Sequence, residues 1–271
     1  MNSPGGRSGA TASPAYADLA IPTAAAVGKC MVFLGGHGSG ESEAWWKTTY
    51  CASDGSSIIR RMLARGWHVL CVDMPDYGVQ PQPQIVYSAG SPVSYTAENS
   101  HAYSALFSDG GPNPNRLFLD HIRLAMNQIA SSFALSFSLV GHSGGANVAA
   151  MLACVDARFR VVHLLQAGSF NGAGSSSDVE AWSGNNAIIA AGGYISNAAL
   201  VGAAFSGRAT IIHTSPNDEY FGGDYPLWQA WQPSAVAALP FAALSLALRT
   251  GTHAIDATQA VFVENHLLAN A

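Results

Sequence analysis

A serine flanked by glycines is the part of this sequence with the clearest capacity for chemistry. Residues 137–147 read Phe-Ser-Leu-Val-Gly-His-Ser-Gly-Gly-Ala-Asn, which places Ser143 between Gly141 and Gly145. An apolar strand precedes the serine and a helix is expected after it, as in the G-x-S-x-G turn that presents a nucleophile. Side chains at the two glycines would collide with the neighbouring strand and helix. We therefore predict that Ser143 attacks a carbonyl and transfers an acyl group through a covalent intermediate.

A nucleophilic serine needs a general base, and the base needs an acid that orients it. In proteins built around this turn, the acid and then the histidine follow the serine along the chain. We select His253 as the base, because it lies just beyond the last predicted strand. His213 is expected to be a buried residue within a strand, and His266 a surface residue of the terminal helix.

Asp218 is the predicted orienting acid. It follows the penultimate predicted strand in the sequence Thr-Ser-Pro-Asn-Asp-Glu, where a short turn would bring its carboxylate toward the His253 loop. Glu219 is the nearest alternative and Asp178 is a third. Pro-Asn-Asp is also a common turn composition, in which Asp218 would only cap the turn. Three matching residues at three successive strand ends favour the catalytic interpretation.

Two backbone N–H groups are needed to stabilise the oxyanion. One is expected from Gly144, directly after the nucleophile, and the other from the glycine-rich loop at residues 34–40. In that loop we select the N–H of His37, with Gly38 next, and we expect Gly36 and Gly38 to contact substrate. The side chain of His37 is expected to form a pocket wall.

The glycine-rich loop has a rival interpretation, since such loops also bind phosphate. This one lacks the lysine and hydroxyl of a P-loop and the full G-x-G-x-x-G spacing. Glu41 and Glu43 follow it, and their charges would repel a phosphate. Nucleotide binding is therefore disfavoured.

Two further polar residues are expected to have structural roles. Asp73 is expected to fix a turn after its strand, and His142 to pack away from the site.

Alternating strands and helices are expected to position these residues, which indicates a mostly parallel sheet. The predicted strands are Cys30–Leu34, His68–Val72, Ser136–Val140, Val161–Gln166, Thr210–Thr214 and Ala242–Leu248. The predicted helices are Ser57–Arg65, Arg116–Ser131, Ala146–Cys154, Pro226–Ala238 and Ala254–Ala269. Two segments interrupt the alternation, residues 78–115 and 168–207. Both follow strand ends, on the face where parallel sheets bind ligands.

Composition excludes several classes of protein. A net charge of −5 with 11% charged residues provides no basic patch, so nucleic-acid binding is not expected. The four cysteines lack metal-ligand spacing, and a Cys51–Cys154 disulfide has no support from the sequence. The long uncharged stretches are broken by Gly, Pro, Asn or Gln, which disfavours a membrane span. Residues 1–22 lack a secretory signal. We expect a cytoplasmic protein, or a secreted one if a signal peptide has been removed.

Together these residues resemble the α/β-hydrolase fold family, over roughly Lys29 to the end of the chain. The motifs that carry the resemblance are Gly141–Gly145, Gly35–Gly40, Asp73–Gly78, Asp218 and His253. The glycine-rich loop, followed by Trp45–Thr49 and Asp54-Gly55, is similar to a group of bacterial esterases in that family.

The resemblance implies an α/β fold with a mostly parallel sheet of about six to eight strands flanked by helices. We expect a reduced sheet of about six strands, with an edge strand from Tyr16–Ile21. The expected organisation is an N-terminal extension (1–28) and a single domain (29–271). Its two insertions are a rim loop (78–115) and a small cap (168–207), the cap lying between the family's sixth and seventh strands.

The function implied is hydrolysis of a small, neutral or apolar carboxylic ester by Ser143, His253 and Asp218, without a metal or organic cofactor. A peptidase or amidase and an acyltransferase would use the same triad and remain alternatives. A binding protein of the same fold without catalysis is the alternative from a different class. The sequence leaves the oligomeric state undetermined.

Overall fold

The computed structural model describes residues 16–37, 49–74, 84–86, 92–94, 115–168, 207–226, 228–230, 233 and 243–271. In chain order, their strands and helices are β1 (Asp18–Ala20), β2 (Lys29–Leu34), α1 (Ile58–Ala64), β3 (His68–Val72), β4 (Gln84–Val86), β5 (Pro92–Ser94), α2 (Asn115–Ser132), β6 (Ser136–His142), α3 (Gly144–Val155), β7 (Phe159–Leu165), β8 (Ala209–Thr214), a 3-10 turn (Gly222–Asp224), β9 (Ala243–Leu248) and α4 (Ala257–Asn270).

Seven of these strands form one sheet in the order β1-β3-β2-β6-β7-β8-β9. The six strands from β3 to β9 in that order are parallel, and β1 pairs antiparallel with β3 at the edge. The predicted mostly parallel sheet is therefore confirmed. The predicted edge strand forms within Tyr16–Ile21, as Asp18–Ala20.

The parallel strands are buried on both faces, which explains why they read as nearly continuous apolar runs. Along β2, Cys30, Val32 and Leu34 pack in the core that contains residues of α2 and α3. Met31 and Phe33 point the other way, into the core formed with α1 and α4. Helices thus cover the two faces of the sheet, and the ends of the parallel strands share one edge.

The elements around the predicted nucleophile are longer than the sequence indicated. Strand β6 continues to His142 instead of ending at Val140, and α3 begins at Gly144 instead of Ala146. Glycine has a low intrinsic helix propensity, yet the helix begins at the two glycines 144–145. Tertiary packing overrides that preference, because Gly145 lies against the end of β2. The turn between strand and helix is therefore shorter than predicted.

Parts of the other predicted segments can be compared with the structure. The rim loop 78–115 contains β4 and β5, which pair antiparallel as a separate two-stranded sheet. Residues 225, 226, 228–230 and 233 are helical, within or next to the predicted helix Pro226–Ala238. The rest of that helix, most of the rim loop and the cap between 168 and 207 lie outside the described residues.

The four cysteines are free thiols, with Cys30 and Cys71 buried in their strands as predicted and Cys51 and Cys154 half-buried. No Cys51–Cys154 disulfide is therefore formed. Among the helices of the described ranges, none combines the length and the apolar character needed to cross a membrane.

Three histidines form a hydrogen-bonded chain on the α4 side of the sheet. His163 Nδ1 lies 3.0 Å from His213 Nε2, and His163 Nε2 lies 3.0 Å from His266 Nδ1. His213 is buried, as predicted, but His266 is not the surface residue that was expected, because it is half-buried against His163. Burial lowers the pKa of His213 to about 3 and the pKa of His163 well below its ordinary value.

Lowering the pH from 7.5 to 5 is expected to destabilise the fold through these histidines. The unfolded chain binds a proton near pH 6.5, whereas folded His213 stays neutral until about pH 3. Stability is therefore lost as the pH falls below 6.5, by about 2 kcal/mol for His213 alone. Urea unfolding at the two pH values measures this difference. A His213→Gln variant should show a smaller difference, and equal unfolding free energies of the wild type at both pH values would contradict the prediction.

Candidate active site

Ser143 occupies a strained turn between β6 and α3. Its backbone has φ 57° and ψ −127°, and it is one of two non-glycine residues with positive φ in the described part of the chain. Such a conformation costs about 1–3 kcal/mol and persists only when the surrounding structure enforces it. Here the Ser143 N–H donates to the carbonyl of Leu165 in the adjacent strand β7, at 2.9 Å. The turn therefore holds Ser143 at the carboxyl edge of the sheet.

The glycines on either side of this serine allow two close backbone approaches. A Cβ atom built on Gly141 would lie 2.3 Å from the carbonyl oxygen of Gly145. One built on Gly145 would lie 2.2 Å from the carbonyl oxygen of Gly35 and 2.4 Å from that of Leu34. These are the collisions with strand and helix that the sequence predicts: a side chain at 141 would push α3 away from β6, and one at 145 would push α3 away from the end of β2.

His253 and Asp218 form a direct hydrogen-bonded pair. His253 Nδ1 lies 3.0 and 2.9 Å from the two carboxylate oxygens of Asp218. Oδ1 also accepts the backbone N–H groups of Tyr220 and Phe221, each at 2.9 Å. An ionised carboxylate only accepts hydrogen bonds, so Nδ1 of His253 carries a proton, and in the neutral form of the ring Nε2 is the acceptor.

The neighbouring carboxylate has a different position. Glu219 accepts the backbone N–H of His253 at 3.0 Å and is not on the imidazole ring. The structure thus places Asp218, and not Glu219, beside the side chain of His253. The third alternative, Asp178, lies outside the described residues.

The loops that carry Asp218 and His253 are joined by two further hydrogen bonds. Ser215 Oγ donates to the carbonyl of Gly251 at 2.6 Å, and Asn217 Nδ2 donates to the carbonyl of Thr250 at 2.9 Å. These bonds continue the parallel pairing of β8 and β9 beyond the strand ends. The relative position of Asp218 and His253 is consequently set by these side-chain-to-backbone hydrogen bonds as well as by their own hydrogen bond.

His142 links the His253 loop to the turn at Ser143. Its Nε2 lies 2.8 Å from the carbonyl oxygen of His253, and the two rings have centroids 4.9 Å apart. Because His142 directly precedes Ser143, this contact places His253 beside the strained turn. We had expected His142 to pack away from the site, so its hydrogen bond to the His253 backbone corrects that expectation.

The loop after β2 lies against the same turn. A Cβ atom built on Gly36 would lie 2.7 Å from Ser143 Cβ and 3.3 Å from Ser143 Oγ. One built on Gly144 would lie 2.5 Å from Cε1 of His37. The His37 ring therefore lies against Gly144, whereas Gly38 lies outside the described residues.

The sequence matches the family model described as "Alpha/beta hydrolase family" over residues 31–267. The chain belongs to the α/β-hydrolase family. No curated protein matches it significantly.

Several solved structures with the same fold align with nearly the whole length of this α/β hydrolase. TT1662 from Thermus thermophilus has a TM-score of 0.56 at 18% identity, covering 94% of this chain and 93% of its own. Est1E from Butyrivibrio proteoclasticus has a TM-score of 0.56 at 16% identity, covering 97% and 98%. A glucuronoyl esterase from Solibacter usitatus has a TM-score of 0.59 at 14% identity, covering 93% and 76%. At these identities the likeness establishes the fold.

The electrostatics of the hydrolase site favour an ionised acid. Burial alone would raise the pKa of Asp218, but the hydrogen bonds from His253, Phe221 and Tyr220 outweigh it and hold the pKa below its ordinary value. Tyr220 and Phe221 also contact the His253 ring, with ring centroids 4.7 and 5.6 Å from its own.

Within the described ranges, no group of three or more His, Cys, Asp or Glu side chains is arranged to hold a metal ion.

Two residues at this site make contacts that the sequence analysis did not anticipate. Tyr50 hydrogen-bonds both Gly36 and His142, and Glu219 holds the His253 backbone. The contact of His142 with the His253 backbone could have been suspected, because a polar residue stands directly before Ser143 in the sequence. Tyr50 had no such signal, since it lies 92 positions from its partner in the chain.

Proposed function

We propose that this α/β hydrolase cleaves a carboxylic ester through an acyl-enzyme intermediate, with Ser143, His253 and Asp218 as its triad. The observation that carries the proposal is the His253–Asp218 pair, held next to the strained turn of Ser143 by the bond from His142. One of the structural neighbours named above is a glucuronoyl esterase, which favours an ester over an amide in this proposal. A small, neutral or apolar ester is the proposed substrate class.

The proposed reaction uses each residue at a defined atom. Ser143 Oγ attacks the ester carbonyl carbon while His253 Nε2 takes the hydroxyl proton. Asp218 holds the proton on Nδ1 and stabilises the imidazolium that forms. The imidazolium then gives its proton to the leaving alcohol. Water, deprotonated by His253, attacks the acyl-enzyme and releases the carboxylic acid and free Ser143.

The proposed oxyanion donors are the backbone N–H groups of Gly144 and His37. Gly144 is the first residue of α3, and N–H groups in the first turn of a helix have no intrahelical partner. The N–H of Gly36 is not available for this purpose, because it donates to Tyr50 Oη at 2.8 Å. Removal of one such donor typically costs about 3–4 kcal/mol of transition-state stabilisation.

A serine-directed fluorophosphonate probe tests the proposed function without knowledge of the natural ester. We expect one adduct in the folded protein, located on Ser143 by peptide mass spectrometry, and none after denaturation. Rates on a matched p-nitrophenyl ester and p-nitroanilide then separate ester from amide cleavage, and the ester should react faster. Absence of the adduct in folded protein would favour a binding protein without catalysis, and faster anilide cleavage would favour a peptidase or amidase.

A further inference from the structure

Tyr50 and His142 form a buried link between the loop after β2 and the loop that carries His253. The Gly36 N–H donates to Tyr50 Oη at 2.8 Å, and Tyr50 Oη lies 2.9 Å from His142 Nδ1. His142 Nε2 lies 2.8 Å from the carbonyl oxygen of His253. Three hydrogen bonds thus connect residues 36, 50, 142 and 253.

Only one arrangement of protons satisfies this link. The His253 carbonyl can only accept, so Nε2 of His142 is protonated and donates to it. In the neutral ring Nδ1 then accepts, and the Tyr50 hydroxyl is its donor. Burial lowers the pKa of His142 to about 4 and raises the pKa of Tyr50, so both groups keep these forms around neutral pH. Each donor of the link therefore has an acceptor, and all three hydrogen bonds are donated in the same direction, from Gly36 toward His253.

The two ends of the link lie at the proposed catalytic groups. At one end, Gly36 contacts Ser143 and is followed by His37, the proposed oxyanion donor. At the other end, two hydrogen bonds hold the His253 backbone: its carbonyl accepts from His142 Nε2, and its N–H donates to the Glu219 carboxylate. The ring of His253 is held separately by Asp218.

We propose that Tyr50 and His142 are positioning residues, which fix the His37 N–H and the His253 ring relative to Ser143 through one shared hydrogen-bonded link. This inference rests on the proposed function. Both side chains also fill space, since Tyr50 packs edge-on against Phe33 and His142. A purely space-filling role would need only their volume, whereas a positioning role needs the hydroxyl and both ring nitrogens.

Removing the polar atoms while keeping the volume tests this inference. In Tyr50→Phe and His142→Leu, kcat for a p-nitrophenyl ester is expected to fall about 10- to 100-fold with little change in KM, because small misplacements of reacting groups cost up to about 100-fold. The double variant should lose no more than the more impaired single variant, because the two residues act in one link. His142→Gln should recover part of the loss, since its amide can donate to the His253 carbonyl.

A matched control separates positioning from general destabilisation. His163 is also buried with both ring nitrogens hydrogen-bonded, but its partners are His213 and His266, not the proposed triad. His163→Leu should lower the melting temperature and leave kcat near the wild-type value. If Tyr50→Phe or His142→Leu does not fold, His142→Gln compared with His163→Gln decides the question, with kcat reduced only in the first.

The outcomes distinguish the two proposals. Wild-type protein that cleaves no ester and takes no fluorophosphonate would overturn the proposed function and this inference together. An active wild type would overturn this inference alone if its folded variants kept the wild-type kcat. Independent losses that multiply in the double variant would also overturn it.

Discussion

Replacing Ser143 with alanine is expected to lower kcat/KM for a p-nitrophenyl ester by at least about 10,000-fold. The substitution removes the only atom proposed to bond the acyl carbon. It leaves the acid, the base and the oxyanion donors in place, so the protein should still fold. Initial rates at saturating and limiting ester, together with the fluorophosphonate adduct on the same preparation, measure the loss.

Two variants make this experiment specific. Ser138 lies on β6, the strand that precedes Ser143; it is buried and its hydroxyl has no hydrogen-bond partner in the described structure, so Ser138→Ala should keep wild-type rates. Ser143→Gly should be as inactive as Ser143→Ala but more stable by about 1–3 kcal/mol, because glycine adopts positive φ without strain. Retention of ester hydrolysis in Ser143→Ala would rule out this serine as the nucleophile.

Replacing Asp218 with asparagine is expected to lower kcat by about 1,000- to 10,000-fold. The amide that replaces the carboxylate can donate to Nδ1 of His253, which favours the tautomer with the proton on Nε2. In that tautomer His253 cannot take the proton of the Ser143 hydroxyl. The fluorophosphonate reaction rate should fall with kcat, because both depend on activation of the same serine.

The adjacent carboxylate supplies the control for this experiment. Glu219→Gln keeps an oxygen that can accept the His253 backbone N–H, and the ring keeps its bond to Asp218. Its kcat should therefore stay close to that of the wild type. A larger loss in Glu219→Gln than in Asp218→Asn would assign the acid to Glu219, the alternative that the sequence left open.

The parallel strands were predictable because each is a short apolar run buried on both faces, and β3 has the predicted bounds, His68–Val72. The ends of helices were less predictable. Helix α4 begins at Ala257, three residues later than expected, because the Asp256 carboxylate accepts the Gln259 N–H at 2.8 Å and caps the helix there. A local capping bond thus decided a boundary that hydrophobic periodicity leaves undefined.

The candidate site, like the fold, was predictable in part. The turn at Ser143 was predictable because its glycines, strand and helix are adjacent in the chain. The positions of Asp218 and His253 at strand ends follow from the strand pattern alone. The sequence favoured Asp218 as the carboxylate beside the His253 ring but left Glu219 open, because the two are neighbours and only the path of their loop separates them.

The sequence by itself determined the α/β class, the turn at Ser143 and the strand ends that carry its proposed partners, because these depend on local patterns of apolar residues and glycine. Only the tertiary structure showed that Asp218, and not the alternative Glu219, lies beside the His253 ring, and only it revealed the link from Gly36 through Tyr50 and His142 to His253. The physical reason is chain separation: His142 and His253 are 111 positions apart. Their contact exists because parallel pairing brings the ends of distant strands to one edge of the sheet.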